Sequence, residues 1–283
     1  MLCLYRTVDA AANELGLRIF RKGEPVALSD VLPMLENMGL RALSETPFKV
    51  TPSGADASVW VHDFGLVAPV LAAVDVPAVK AKFERTLARV WTGAAESDGF
   101  NRLVLLAGLA PREVDILRAY AKYLRQAGIG FSQAYMEDAL AGHATIARRL
   151  VDLFLASFDP SDAARKDAEA GADAIAAEID HLLDEVANLD EDRILRRFLN
   201  AIRSTLRTNF FQPGADGQPK PYISFKLDSR KLDELPLPRP LVEIWVYAPS
   251  VEAVHLRGGR VARGGIRWSD RREDFRTDRK SVV

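Results

Sequence analysis

The 283-residue chain has one cysteine, four histidines and almost no net charge, and each scarcity excludes something. Cys3 alone forms no internal disulfide and supplies no Cys-rich metal cage, which fits a reducing compartment. His62, His143, His181 and His255 fall on four separate segments with no partner at ligand spacing, so they are expected as surface or half-buried histidines, not as metal ligands. A formal net charge of -1 gives the molecule no field to attract nucleic acid or an anionic membrane, and any such pull must be local. No run approaches the roughly 20 apolar residues that cross a bilayer. The opening "MLCLYRTVDAAANEL" is broken by Arg6, Asp9 and Glu14, unlike the continuous apolar core of a signal peptide. The cytoplasm is the simplest address, with no membrane and no nucleic acid among the partners.

What is present is the composition of a globular protein, 48% hydrophobic and 27% charged, with length enough for more than one core. The first seventy residues predict a small α+β unit. "GLRIFR" alternates with Leu17 and Ile19 on one face. "LSDVLPMLENMGL" spaces Val31, Leu32, Leu35 and Met38 for a helix, with Ser29 or Asp30 as N-cap, Pro33 in the first turn and Gly39 as the stop. "LRALSE" and "ASVWVHDFGL" follow as strands; "HDFG" at 62–65 is expected as a strand end with a turn.

From about residue 77 the period becomes 3.6. One stripe holds Val79, Phe83, Leu87 and Val90, and another holds Val114, Leu117, Tyr120, Ala121 and Leu124. "LDEDRILRRFLNAIRSTLRTNFF" closes the helical block, with Asp190 as cap, Glu191 and Asp192 suiting the positive helix start, and Ile194, Phe198, Ile202 and Leu206 along one face. After the loop "QPGADGQPKP" the period falls to two. Ile223, Phe225 and Leu227 share a face of one strand, and Val242, Ile244 and Val246 are expected as the matching face of the next, with "VEAVHLRGG" ending the set. "LDELPLPRP" between the first two strands reads as an extended connector.

Between Arg257 and Lys280 stand nine Lys or Arg against four Asp or Glu, a local cationic excess that suits an anion. The pairs Gly258-Gly259 and Gly264-Gly265 let backbone N–H groups approach a ligand, flanked by arginines with bidentate geometry for carboxylate or phosphate. The alternative for the first pair is a hairpin turn between "VHL" and "VA".

"VARGGIRWS" resembles the glycine-pair segment of glutamate dehydrogenases. Together with "VHLRGG", "SDRREDFRT", "DGFNRLVLLAGL", "LRAYAKYLRQAGIGFSQAYM", "NLDEDRILRRFL" and "PYISFKLDSRKLDELPLPRP", it makes the chain similar to the very large, NAD-specific bacterial branch of that family over nearly its whole length. The fold class implied is α+β: a small ACT-like module at 1–70, a helical linking region at 71–212, and the beginning of a mixed-sheet catalytic domain at 213–277. The resemblance implies oxidation of L-glutamate to 2-oxoglutarate and ammonia with NAD as cofactor, in a homo-oligomeric full-length enzyme. Arg263, Gly264, Gly265 and Arg267 match the substrate-binding segment, Arg263 standing where smaller members carry a lysine that serves a substrate carboxylate. The family's catalytic lysine, acid/base aspartate and dinucleotide fingerprint belong downstream, and no GxGxxG follows a strand here, so no catalytic, cofactor or metal residue is assigned and the chain is expected to be an inactive fragment. "DRKSVV" at 278–283 is what GAT CGG AAG AGC GTC GTG encodes, the start of a common sequencing-adapter oligonucleotide, and is expected to be a non-native tail. A different class of function is a stand-alone regulatory module that binds an amino acid through its ACT-like part without catalysis.

Overall fold

The computed structural model describes residues 1–51, 53, 57–161 and 168–261. It divides into two compact units, Met1–Val114 and Asp115–Val283, and both are α+β.

In the first unit, β1 (Leu2–Tyr5), β2 (Glu14–Lys22), β3 (Arg41–Val50) and β4 (Val59–Val67) form one antiparallel sheet in the order β1-β2-β4-β3. Cross-strand pairing puts Leu15 opposite Leu66, Leu17 opposite Phe64 and Ile19 opposite His62, and all six are buried. That face packs with α1 (Leu28–Asn37) and α2 (Val76–Trp91), whose Val31, Leu35, Val79, Phe83, Leu87 and Val90 are also buried. The expected α2 stripe is therefore the stripe that packs. Asp75 caps α2 by accepting from the Ala78 N–H, and one turn on, Lys80 donates to the Leu4 carbonyl at 2.6 Å while Glu84 accepts the Leu4 N–H at 2.8 Å. The helix so satisfies the open edge of β1. Gly39, at φ 82°, ends α1 in a Schellman motif: Leu40 N–H reaches Leu35 O and Gly39 N–H reaches Glu36 O.

Several local expectations give way in this unit. Helix α1 starts at Leu28 with Ala27 as N-cap and no side-chain cap, so Pro33 lies inside the helix; its missing N–H leaves the exposed Ser29 carbonyl to water. The "HDFG" residues are not a turn but the middle of β4, in register with β2 and β3 on either side. His62 is fully enclosed: its Nε2 accepts the Val26 N–H at 3.0 Å, which leaves Nδ1 to donate to Glu45 at 2.7 Å. β1 itself escaped the sequence reading because only four residues of it are extended.

In the chain after α2, a 3₁₀ turn (Gly99–Arg102) leads into α3 (Leu103–Leu106) and α4 (Pro111–Ala127). The second unit continues with α5 (Gln133–Gly142), α6 (Ala144–Phe158), α7 (Ala168–Leu183) and α8 (Leu189–Arg203), then a second antiparallel sheet, β5 (Thr205–Thr208), β6 (Ile223–Leu227), β7 (Val242–Ala248) and β8 (Val251–Arg257), paired in sequence order. Asn188, not Asp190, caps α8, its side chain accepting from the Asp190 and Glu191 N–H groups; Asp190 to Asp192 then occupy the first turn, where the helix dipole favours them. The helix ends at Arg203 and the chain turns directly into β5, which is why Leu206 leaves the expected stripe and is exposed.

The core of this unit is aromatic. Tyr120 stacks on Phe225 at 4.1 Å and meets Phe154 edge-on at 6.2 Å, while its hydroxyl pairs with Thr205 Oγ1 at 2.8 Å. Burial pushes the Tyr120 phenol far above its ordinary value, so it stays neutral. On β6 the expected face, Ile223, Phe225 and Leu227, is the buried one. On β7 the expected face is the wrong one: Glu243, Trp245 and Tyr247 are buried, and Val242, Ile244 and Val246 are half-buried on the reverse side. Cross-strand register settles this, since Phe225 faces Trp245 and Leu227 faces Glu243, and paired residues point to the same side of a sheet.

Candidate functional site

Arg263, Gly264, Gly265 and Arg267, the sequence-predicted substrate residues, lie outside the described residues, as does 278–283. What is described is the strand that leads to them. β8 ends at Arg257, whose carbonyl accepts the Leu241 N–H at 2.7 Å, so the strand is tied to β7 up to its last residue. Gly258 and Gly259 follow in open space, with nothing within 4 Å of where a Cβ would stand and neither at positive φ. Between Gly258 and Val261 the chain bends; the return segment of the expected hairpin, "VA", runs past Val261 and lies outside the described residues.

Behind this exit lies a feature that the sequence reading missed. Helix α4 carries two stripes within the second unit. The apolar one, with Leu117, Tyr120, Ala121 and Leu124, was expected. The second, Asp115, Arg118, Lys122 and Gln126, has the spacing of a solvated face, yet all four residues are buried, Arg118 completely. Arg118 Nη1 donates to Asp115 Oδ1 at 2.6 Å. Lys122 Nζ stands 3.5 Å from Glu252 Oε1 on β8, with each side chain about a tenth exposed. The next residue, Tyr123, donates its hydroxyl to Glu243 Oε2 on β7 at 2.8 Å and packs its ring against Trp245 at 6.0 Å. Glu243 has no exposed surface. Register places it directly opposite Leu256, one residue before β8 ends.

A signal for this arrangement was available. In "VEIWVYA" both alternating sets are bulky, Val-Ile-Val on one side and Trp-Tyr on the other, and a strand of that kind packs on both faces. Glu243 then had to be buried whichever face was inner. A buried carboxylate needs a donor, and the polar residues of α4 are the donors.

The chemistry within reach is that of a cation-rich segment presented from a rigidly backed strand. It is not dinucleotide chemistry: among the described residues both sheets are entirely antiparallel, whereas a Rossmann half needs a parallel strand–helix–strand crossover with a glycine-rich turn at the helix start. The residues present do not fit NAD. Among the described residues no group of three or more His, Cys, Asp or Glu is arranged to hold a metal ion, and no helix is long and apolar enough to cross a membrane.

The first unit carries a separate feature. On the face of its sheet away from the helices, Gly16 and Gly65 are paired across β2 and β4. Their lack of side chains makes room for the Tyr5 ring and the Ser44 hydroxyl, and the same face carries a hollow of roughly 400 Å³ lined by Tyr5, Glu14, Ser44, Thr46, Phe48 and Asp63. The Tyr5 ring lies over Gly16, 2.2 Å from where a Cβ would stand. Asp63 accepts from the Tyr5 hydroxyl at 2.6 Å and from Arg18 Nε at 3.0 Å.

Comparison with known proteins matches the chain in three stretches. Residues 1–79 match the family model described as the ACT3 domain of glutamate dehydrogenase, and 95–160 match its helical motif 3. Residues 178–283 match the catalytic domain of bacterial NAD-glutamate dehydrogenase. The NAD-specific glutamate dehydrogenase of Halomonas elongata is 46% identical over 282 residues, covering 100% of this chain and 17% of the relative. That of Pseudomonas aeruginosa is 46% identical over 287 residues, with 100% and 18% covered, and that of Mycobacterium tuberculosis is 47% identical over 276 residues, with 93% and 16% covered. The chain thus spans less than a fifth of the length of these curated relatives.

Proposed function

Because the chain belongs to the bacterial NAD-specific glutamate dehydrogenase family, we propose that it is the stretch of such an enzyme that joins its ACT-like and helical regions to the start of its catalytic domain. In the whole enzyme the reaction is oxidation of L-glutamate to 2-oxoglutarate and ammonia with NAD as hydride acceptor, carried out by a homo-oligomer in the cytoplasm. The domain limits proposed are an ACT-like module to about residue 70, a helical link to about 212, and catalytic-domain sequence after it. The role proposed for Arg263, Gly264, Gly265 and Arg267 is to hold substrate carboxylate, arginine by bidentate donation and the glycine pair by close backbone approach.

The observation that carries this reading is the continuous match of the 283 residues to relatives of that one activity. Taken alone, these residues supply no dinucleotide-binding crossover among the described elements and no strand-linked GxGxxG in the sequence; they are expected not to turn glutamate over. The test is steady-state kinetics of the full-length polypeptide carrying Arg263→Ala. The expected result is a rise of at least tenfold in KM for glutamate with KM for NAD unchanged, and an unchanged KM for glutamate contradicts the assigned role.

A second reading, favoured by the hollow on the open sheet face of the first unit, is regulatory binding of an amino acid without catalysis. Thermal-shift titration of the chain with single amino acids tests it. A saturable shift abolished by Thr46→Val supports it, and no shift with any of the twenty sinks it.

A further inference from the structure

Strand register sets what surrounds the hollow on the open sheet face of the first unit. Gly16, Gly65 and Ser44 lie in one row across β2, β4 and β3, and Tyr5 of β1 stands beside Gly16. Residues two apart along a strand share a face, so Glu14 lies in the row on one side of the glycines, and Asp63 and Thr46 lie in the row on the other. A carboxylate therefore flanks the glycine row on each side.

The charge of this lining is of one sign. Among the described residues no lysine or arginine lines the hollow. Arg18 answers Asp63 from outside, at 3.0 Å, with its guanidinium over the Tyr5 ring at 4.7 Å. Arg41, across Val67 in the row of Glu14, is outside the lining too. Burial and the neighbouring Asp63 push the Tyr5 phenol above its ordinary value, so it stays a donor to Asp63 and adds no charge. Glu14 has no cation at its carboxylate: Oε2 accepts the Ala11 N–H at 3.1 Å, and Arg6 meets Glu14 only at the backbone carbonyl, donating also to the carbonyls of Ala12 and Val74. Leu43 and Phe48, in the same lining, are 60% and 50% exposed, an apolar rim left to water.

An ammonium has three donors and no acceptor, which carboxylate and hydroxyl oxygens match. An anionic ligand meets Glu14 with no cation in the lining to offset it, and like charges brought together disfavour binding. We propose that the hollow is a binding site for small aliphatic primary amines, the ammonium held by Glu14 with the hydroxyls of Ser44 and Thr46, and the alkyl chain along Leu43 and Phe48. The proposal rests on the second reading above, in which this hollow is a regulatory site, and names the group recognised there as the ammonium and not the carboxylate.

Isothermal titration calorimetry of the 283-residue chain tests it with cadaverine and glutarate, which have the same carbon chain and opposite end charges. Saturable binding of cadaverine is expected, with glutarate at least about tenfold weaker. Glu14→Gln keeps an acceptor for the Ala11 N–H and removes the charge, and it should weaken cadaverine about tenfold. Glu24→Gln, at an exposed carboxylate of the same unit outside the lining, should leave the affinity unchanged. If Glu14→Gln does not fold, Thr46→Val decides, with an expected loss of about threefold. Glutarate bound as tightly as cadaverine overturns the proposal, as does an unchanged affinity in the deciding variant or an equal loss in Glu24→Gln. If cadaverine does not bind while an L-amino acid binds saturably, this proposal falls alone; if neither binds, the regulatory reading falls with it.

Discussion

The two four-stranded antiparallel sheets differ in what they bury. The sheet of the first unit turns Leu15, Leu17, Ile19, Phe64 and Leu66 inward, with a buried His62 on that face satisfied through both ring nitrogens. The sheet of the second unit turns Glu243 and Glu252 inward among Phe225, Trp245 and Tyr247, and answers them with an equally buried polar stripe on α4. The first arrangement is explained by burial alone, at roughly 25 cal/mol per Å² of apolar surface. The second is not, because desolvating charge works against folding. The difference teaches that one sheet is held by apolar burial and the other also buries partnered charge.

Substitutions can break this contrast. The largest effects are expected from single truncations in either core: Phe64→Ala in the first unit and Arg118→Ala in the second should each cost about 3–5 kcal/mol, by cavity formation and by breaking the buried Arg118–Asp115 pair respectively. The two should then diverge. Asp115→Leu with Arg118→Met is expected to regain most of that loss in urea unfolding, whereas no second substitution restores the cavity left by Phe64→Ala without refilling it. A double apolar variant as unstable as Arg118→Ala would erase the contrast.

Smaller effects sharpen it. Gly16→Ala drives a methyl into the Tyr5 ring and should destabilise the first unit by about 1–3 kcal/mol, an effect reduced when Tyr5→Ala is added. Asn188→Ala should cost about 1 kcal/mol, measured by thermal melts, while Asp190→Ala should cost only a few tenths; the reverse order would return the cap to Asp190. The smallest effect concerns pH. Hydrogen bonds from Arg230 hold the Asp228 carboxyl below its ordinary value, so its contribution is present above the unfolded-state value, about 3.9, and is lost as pH falls through the lower folded value. Asp228→Asn should flatten the acid limb of a stability–pH profile in that window, with its deficit against wild type present above the window and vanishing below it.

How legible the molecule was follows the same contrast. Wherever one face is apolar and the other polar, as in α2 with Val79, Phe83, Leu87 and Val90, spacing identified the buried side, and the same holds for β6. Spacing failed on β7, because Val242, Ile244 and Val246 alternate as cleanly as the residues that are truly inward, and only long-range pairing with Phe225 distinguishes them. It failed on the second stripe of α4 for the same reason: Lys122 reads as solvated until Glu252 of β8 is brought against it, and Arg118 until it is buried beside Asp115. Local chemistry misplaced caps by a residue or two, since Asn188 and Asp190 are both competent and geometry chooses. The proposed substrate segment, Arg263 to Arg267, rests on a motif alone and lies outside the described residues, and the family relation was carried by long matching stretches, not by physics.

The central claim is that these residues hold the substrate-carboxylate segment of a glutamate dehydrogenase and not its cofactor half. Absorbance at 340 nm, followed as the purified 283-residue chain is given saturating L-glutamate and NAD, tests it most directly. No glutamate-dependent NADH is predicted, and steady NADH formation proportional to the concentration of the chain would contradict the account.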